Sequence, residues 1–532
     1  MNINIKTIYL VATVFAFSCD PDLVDEPSAT QTEETYFNMD VAFRSATASA
    51  YSVLYDYYHY ATPNFAPAIE GDHWVAGTWL LPGDDLTESM GFRPSVELFD
   101  GSLNPANRQL EYVFGSSYKL IARANVVIDK TRNVDYSTFK NVEEIAIMEG
   151  EGLFLRAYAY WNLYNIFGSV PIIHERFQPD DDTNTPKSPA LEVLNKVIDD
   201  SRLALGILPE FWEESYAGRA TKNSARGLLA RALVFRANHT GDNADYSEAL
   251  NIFNSITADL EDDFVNNFNA FTENNGESLF EVQASVATAN FNNMLLHNDG
   301  AWRGVENMSV YRGFMMQASD PGDFNINAST RFLVTEKLLN GFGDDPRIQV
   351  FLNPNDGLDG RIFQKYNLPE GVNEIIERGG GGSLNNERVL RYADLVLIAA
   401  EAELKTGNPA IAIEYVNDIR TRAREWGLAA GLSDGTMPAD HPTGETNQAT
   451  IMKWIMDERY VELAGEGHRF WDLKRWHAAG DMDLSGWDGS DTGFSTALAS
   501  PVQFDVNTNL VFPLPQKEME RNGALTENNP GY

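Results

Sequence analysis

Apolar positions recur every three or four residues in successive stretches of the chain, the spacing of helices with one buried face. This spacing predicts helices over 41–58, 117–130, 143–167, 189–205, 224–238 and 246–258. Asp40 is placed to cap the first, and Gly168 stops the third, which is apolar over a broad face. Between 265 and 389 the pattern changes. Asn, Gly, Asp and aromatic residues dominate and the helical period weakens. Leu279-Phe280-Glu281-Val282-Gln283 reads as a strand, 334–339 as a short helix, and Gly379 to Gly382 as a flexible loop. Helices return over 391–406 and 409–425, joined by Gly407-Asn408, and a further pair follows over 451–463 and 468–478. Ala399, Ala402, Gly407, Ala410, Ala412 and Tyr415 fall at tetratricopeptide-like spacing, where small residues let two antiparallel helices approach. Residues 427–448 read as a loop with Pro438 and Pro442. Strands do not alternate with helices, which excludes a doubly wound sheet. The expected fold is mainly α: tetratricopeptide-like helical pairs in a single helical body, about 36–264 and 390–480. A long irregular, loop-rich insertion at about 265–389 interrupts it, with little β.

The N-terminus adds a second kind of signal. Lys6 precedes Ile8 to Phe17, ten apolar residues. That run is too short to span a bilayer and fits the apolar region of a signal peptide. It ends at Ser18-Cys19, and Cys19 is the one cysteine of the chain. A cysteine behind such a run and a small residue reads as a lipobox, with cleavage before Cys19 and lipidation of its thiol. Phe17 stands where lipoboxes carry a small residue, and the alternative is a plain secretory signal. Several acyl chains hold a soluble domain firmly to a membrane. The expected division is therefore a signal peptide at 1–18, a lipidated tether at 19–35 and one domain at 36–532.

Composition narrows the partners. Of 532 residues, 43% are hydrophobic and 11% aromatic, enough for a sizeable core, and the formal net charge is −37. That excess repels phosphate backbones and anionic lipid heads, and no run of Lys and Arg offsets it, so nucleic acid and polyanionic substrates are disfavoured as partners. The membrane is reached through the lipid anchor only.

Catalytic patterns are missing. There is no Gly-x-Ser-x-Gly elbow and no His-Glu-x-x-His zinc helix. The eight histidines are scattered, without a close pair at metal-ligating helical spacing. Asn353-Pro354-Asn355-Asp356-Gly357-Leu358-Asp359-Gly360 is oxygen-rich and partly resembles a calcium loop, but it lacks the terminal Glu and reads as a turn. No cofactor is required. Glu458, Glu462 and Glu466 follow one another at helical-turn spacing, while Arg459 and Arg469 sit among Trp454, Ile455, Leu463, Phe470 and Trp471. Charges beside an apolar core need each other to offset desolvation, so these residues read as an ion-pair lattice between helices.

Glu458-Arg459-Tyr460-Val461-Glu462-Leu463, followed by Glu466-Gly467-His468-Arg469-Phe470-Trp471-Asp472-Leu473-Lys474-Arg475-Trp476, resembles the C-terminal pattern of the SusD/RagB family of outer-membrane nutrient-binding lipoproteins. So does the ending Asn528-Asn529-Pro530-Gly531-Tyr532. Leu155-Arg156-Ala157-Tyr158, Phe167-Gly168-Ser169-Val170-Pro171, Arg219-Ala220-Thr221-Lys222, Glu277 to Glu281 and Asn417-Asp418-Ile419-Arg420 extend the likeness over about 19–532. The acidic run at 20–26 resembles the surface-export signal of Bacteroidetes lipoproteins. The resemblance implies a non-catalytic protein on the outer membrane, facing the exterior. It would capture an oligosaccharide or polysaccharide and deliver it to a SusC-like TonB-dependent transporter. The acidic surface favours a neutral glycan. The alternative is the lid of a RagB-type oligopeptide importer. A surface glycosidase would need two carboxylates about 5–10 Å apart in a cleft, and no specific pair is offered. Sugar rings pack on aromatic faces in exposed loops. The family's binding aromatics lie in loops near two places here. The expected ligand-binding set is therefore Trp74 and Trp79, with Trp302, Tyr311, Asn298, Asp299 and Arg303. Trp161, Trp454, Trp471 and Trp476 lie on helices and are expected in the core.

Overall fold

The computed structural model describes residues 33–58, 77–88, 102–283, 285–286, 307–308, 332–351, 365–366, 385–485, 487 and 504–532. Val142–Phe167 forms one uninterrupted helix, and from Met148 onward nearly all its residues are buried. A helix apolar on all sides must be enclosed by others. Helices Arg108–Asn133 and Ala190–Ile207 pack along it.

In chain order the described helices are α1 Glu33–Tyr36, α2 Asp40–Tyr51, α3 Leu54–Tyr58, α4 Gly77–Leu80, α5 Arg108–Asn133, α6 Val142–Phe167, α7 Ala190–Ile207, α8 Lys222–Thr240, α9 Asn243–Phe253, α10 Glu336–Phe342, α11 Ile348–Phe351, α12 Tyr392–Lys405, α13 Pro409–Ala429, α14 Gln448–Glu462, α15 Arg469–Ala479 and α16 Gln516–Arg521. Consecutive helices pair: α5 with α6, α6 with α7, α8 with α9, α12 with α13 and α13 with α14, whereas α14 and α15, predicted as a pair, pack mainly on other helices, α14 on α12 and α13 and α15 on α8. The fold is mainly α, as the spacing predicts.

Local chemistry sets the ends. The Asn107 side chain accepts from the N–H groups of Gln109 and Leu110, so α5 starts at Arg108, nine residues before the predicted start. Thr221 and Ser224 form a reciprocal capping box at the start of α8, and Gly241 at φ 71° ends it; such a box satisfies two otherwise orphaned donors. The predicted helix 41–58 is broken into α2 and α3. Arg123 on α5 donates to Ser49 O at 2.6 Å and to Ser52 Oγ at 3.0 Å, where α2 ends. Asp40 does not cap α2. It is the first helical residue, and its carboxylate accepts from Asn141 Nδ2.

In the α12–α13 hairpin, Ala399, Ala402 and Ala412 are buried, and Gly407 turns the chain at φ 95°. Ala410, predicted to belong to that interface, is exposed.

Strands are short and antiparallel: β1 Leu86–Glu88, β2 Val170–Pro171, β3 Lys187–Ser188, β4 Ser278–Val282, β5 Ser285–Val286, β6 Asn307–Met308, β7 Phe332–Val334 and β8 Glu387–Arg391. They pair as β1–β7, β2–β3, β4–β8 and β5–β6. The predicted strand at 279–283 is β4. The predicted helix at 334–339 becomes β7 followed by α10. The expected start of a helix at Arg391 is instead the end of β8. The Gly379 to Gly382 loop and the oxygen-rich segment 353–360 lie outside the described residues.

The C-terminus is stitched to the central helix. Asn529 Nδ2 donates to Phe167 O and Phe512 O, both at 2.7 Å. Phe512 N donates to Ile166 O at 2.9 Å. These bonds satisfy carbonyls that the end of α6 leaves without helical partners.

Candidate functional site

The predicted ion-pair lattice exists, and it is larger than the motif that announced it. At its centre Glu462 accepts from Arg347 at 2.7 Å, Arg391 at 2.6 Å and Arg422 at 2.6 Å. Glu466 takes Arg391 at 2.8 Å and Lys365 at 2.5 Å. Glu458 pairs with Arg347 and Arg420, and Glu277 with Arg391 and Arg422. Burial alone pushes the Glu462 carboxyl up. Arg422, Arg391 and Arg347 outweigh it and hold the group well below the usual carboxylate range. Glu466 is likewise raised by burial and brought down to about 2 by Arg391 and Lys365.

A second set lies beside the first. Asp394 receives Arg459 at 2.7 Å and Arg231 Nε at 2.9 Å. Asp472 receives Arg459 and Arg475, both at 2.8 Å. Glu401 accepts from Arg475, Asn238 and the Trp476 indole. A third set anchors the chain around β1: Arg469 and Lys337 hold Asp84, whose backbone carbonyl accepts from Tyr460 and Thr335. The carboxylates of these sets are tied to cations, so the arrangement braces helices against one another. Among the described residues, no group of His, Cys, Asp or Glu is placed to hold a metal ion.

Next to this lattice lies a narrow cleft. Tyr58, Trp79, Trp161 and Trp471 line it together with Arg231, Arg459, Glu387, His468 and Asp472. It encloses about 50 Å³, room for a few ordered waters rather than an oligosaccharide. Trp79 sits on α4, half-buried, with its ring edge-on to Tyr58 at 5.6 Å. Gly467 lies against the indole: a Cβ there would stand 2.5 Å from Trp79 Cδ1, and the backbone is at φ 81°. Only glycine meets both demands without strain. Burial lowers His468 to about 4 despite the opposing pull of Asp394, so its imidazole is neutral at neutral pH.

The family model described as "SusD family" matches residues 359–532, and one described as "Starch-binding associating with outer membrane" matches residues 22–234. Between them they span most of the chain. The chain belongs to the SusD/RagB family. A SusD-like protein of Formosa agariphila is 26% identical over 568 residues, covering 100% of both chains. Among solved structures, a SusD homologue from Bacteroides thetaiotaomicron has a TM-score of 0.72 at 19% identity, over 94% of this chain and 99% of that one. Surface glycan-binding protein A of the same species, solved with laminarihexaose, has a TM-score of 0.68 at 19% identity, over 92% and 99%. The shared SusD fold runs through nearly the whole chain. No helix among the described residues is long and apolar enough to cross a membrane.

Of the ligand-binding set, Trp79 alone lies in the described part of this SusD-like chain, on the wall of the cleft. Trp74, Trp302, Tyr311, Asn298, Asp299 and Arg303 lie outside the described residues, as does Cys19. Trp161, Trp471 and Trp476 are core residues as expected. Trp454 is partly buried and stacks on His441, the ring centroids 4.2 Å apart. The motif at 458–476 points to the lattice but not to its remote members. Arg347, Lys365, Arg391 and Asp84 carry no local signal of burial. Glu277 and Arg420 do fall within stretches that resemble the family.

Proposed function

We propose that this protein is a cell-surface glycan-binding lipoprotein that captures a neutral oligosaccharide or polysaccharide and passes it to a SusC-like TonB-dependent transporter. One observation carries the reading: nearly the whole chain shares its fold with a surface glycan-binding protein solved with laminarihexaose. In this reading residues 1–18 are removed, Cys19 carries the lipid, and 19–35 tether the domain outside the cell. The aromatic platform is formed by Trp74 and Trp79 with Trp302 and Tyr311, and Asn298, Asp299 and Arg303 bind hydroxyls beside it. The charge of −37 disfavours anionic glycans. The protein holds its ligand without cleaving it, and the ion-paired carboxylates described above are braces.

A binding screen of the chain from residue 20 tests this, against neutral glycans, acidic glycans and peptides. Trp74→Ala, Trp79→Ala and Trp302→Ala are run alongside, with thermal melts as the folding control. The expected result is binding to a neutral glycan without product formation, weakened about tenfold or more in at least one folded variant. Binding to peptides alone would replace the glycan reading with an oligopeptide lid, and undiminished glycan binding in all three variants would move the platform elsewhere.

A further inference from the structure

Between α7 and α8 the chain makes a loop whose ends are joined: Lys222 N donates to Pro209 O at 2.8 Å. Closed surface loops of this kind are held by their own side chains and are frequently functional. Here Arg219 does the holding. Its guanidinium makes two bonds to the buried Glu151, at 2.8 and 2.6 Å. It also lies 3.8 Å from the centroid of the Trp212 ring and 5.2 Å from that of Tyr216. The Trp212 indole donates to Ala220 O at 2.9 Å. Gly218, at φ 88°, abuts Gln283 so closely that a Cβ would stand 2.2 Å from its side chain.

What this rigid loop presents is aromatic. Phe211 is 79% exposed and Tyr216 39%. Gln283 joins the loop to the neighbouring turn, because its amide exchanges two hydrogen bonds with Asn274. Phe271, 67% exposed, rides on that turn. Asn274 is held at φ 51°, a conformation uncommon for a residue with a side chain. An exposed apolar patch rimmed by polar residues marks an interaction site, and these rings stand on two segments joined through Gln283. Glu213 and Glu214 are exposed on the same loop and repel anions, while the cationic Arg219 is already committed to Glu151.

We propose that the loop 209–222 and the turn 269–276 form a second glycan-contact surface, whose exposed rings take the apolar faces of a neutral sugar chain. This rests on the glycan-capture reading above. It adds a contact outside the predicted platform, so that a long polymer is gripped at two places and avidity rises without tighter binding at either.

The test uses the full chain purified in detergent, in affinity electrophoresis through gels holding laminarin, glucomannan, xyloglucan or galactan. Phe211→Ala and the double variant Phe211→Ala/Tyr216→Ala are compared with Trp74→Ala, Trp302→Ala and the native chain. Leu203→Ala, at an exposed apolar position of α7, is the control, and melting temperatures check folding. The expected result is that the polymer retaining the native chain retains the folded double variant at least about fivefold less, the contribution of one aromatic contact of moderate strength. Phe211→Ala should fall between, and Leu203→Ala should match the native chain. Unchanged retention of the double variant, with loss in Trp74→Ala or Trp302→Ala, would overturn the second surface and leave glycan capture standing. No retention of the native chain by any polymer would overturn both. Loss in the double variant of binding to a lysine-rich peptide, with glycan retention unchanged, would overturn it in favour of a peptide contact.

Discussion

At Glu462 three guanidinium groups converge on one fully buried carboxylate. Breaking such a buried pair costs roughly 3–5 kcal/mol, because the remaining charges lose compensation without regaining water. Helical spacing alone marks Glu458, Glu462 and Glu466 as one row. It does not reveal that Arg347 and Arg391 complete them, since Arg347 comes from just before α11 and Arg391 from the end of β8, both far away along the chain. Asp85 shows the opposite balance. Burial, together with the neighbouring Asp84 charge, pushes its carboxyl up to about 6 from an ordinary 3.8, against the Gly465 N–H and Arg469. Between pH 4 and 6 the folded chain therefore holds a proton that the unfolded chain has released. Stability contributed by this group falls as pH rises through that window. Asp85→Asn removes the titration. In urea unfolding, the stability difference between variant and native chain should shift in the variant's favour from pH 4 to pH 8, by up to about 3 kcal/mol. A difference independent of pH would mean that Asp85 does not titrate there.

Elements follow local spacing where one face decides them and depart from it where a distant segment intervenes. The pattern around 334 reads as the start of a helix. In the fold Phe332–Val334 pairs with Leu86–Glu88, a strand about 250 residues away, and the helix begins only after Thr335 caps it. The turn between α14 and α15 depends on Gly467. Gly467→Ala should lower stability by about 1–3 kcal/mol, combining the positive φ with the clash on Trp79. Combined with Trp79→Ala, the penalty should shrink but not vanish, since the indole is removed while the backbone strain remains. Chemical denaturation of the two single variants and the double variant reads this directly, and strictly additive penalties would contradict the contact.

At the scale of the whole molecule, the proposed function places the protein on the cell surface, held by its N-terminus. No helix among the described residues is long and apolar enough to cross a membrane, and the proposed hold on the membrane is the acylated Cys19. Cys19→Ala should move the protein from the membrane pellet to the soluble fraction. Glycan binding should be unchanged, since the lipid and the proposed sugar contacts lie on different parts of the chain. Retention of the variant in the pellet would show a second membrane contact.

The sequence by itself determined the helical elements, the hairpin of α12 and α13 and the family likeness, because all three are written in short-range spacing: a helix turn, a glycine between two helices, a motif of nineteen residues from Glu458 to Trp476. Only the tertiary structure decided which arginine neutralises which glutamate, that Trp79 lines a cleft against Gly467, and that Phe211 and Tyr216 stand out on a loop braced by Arg219. Burial and charge compensation depend on residues that meet in space after long loops close, and no local spacing encodes those distances.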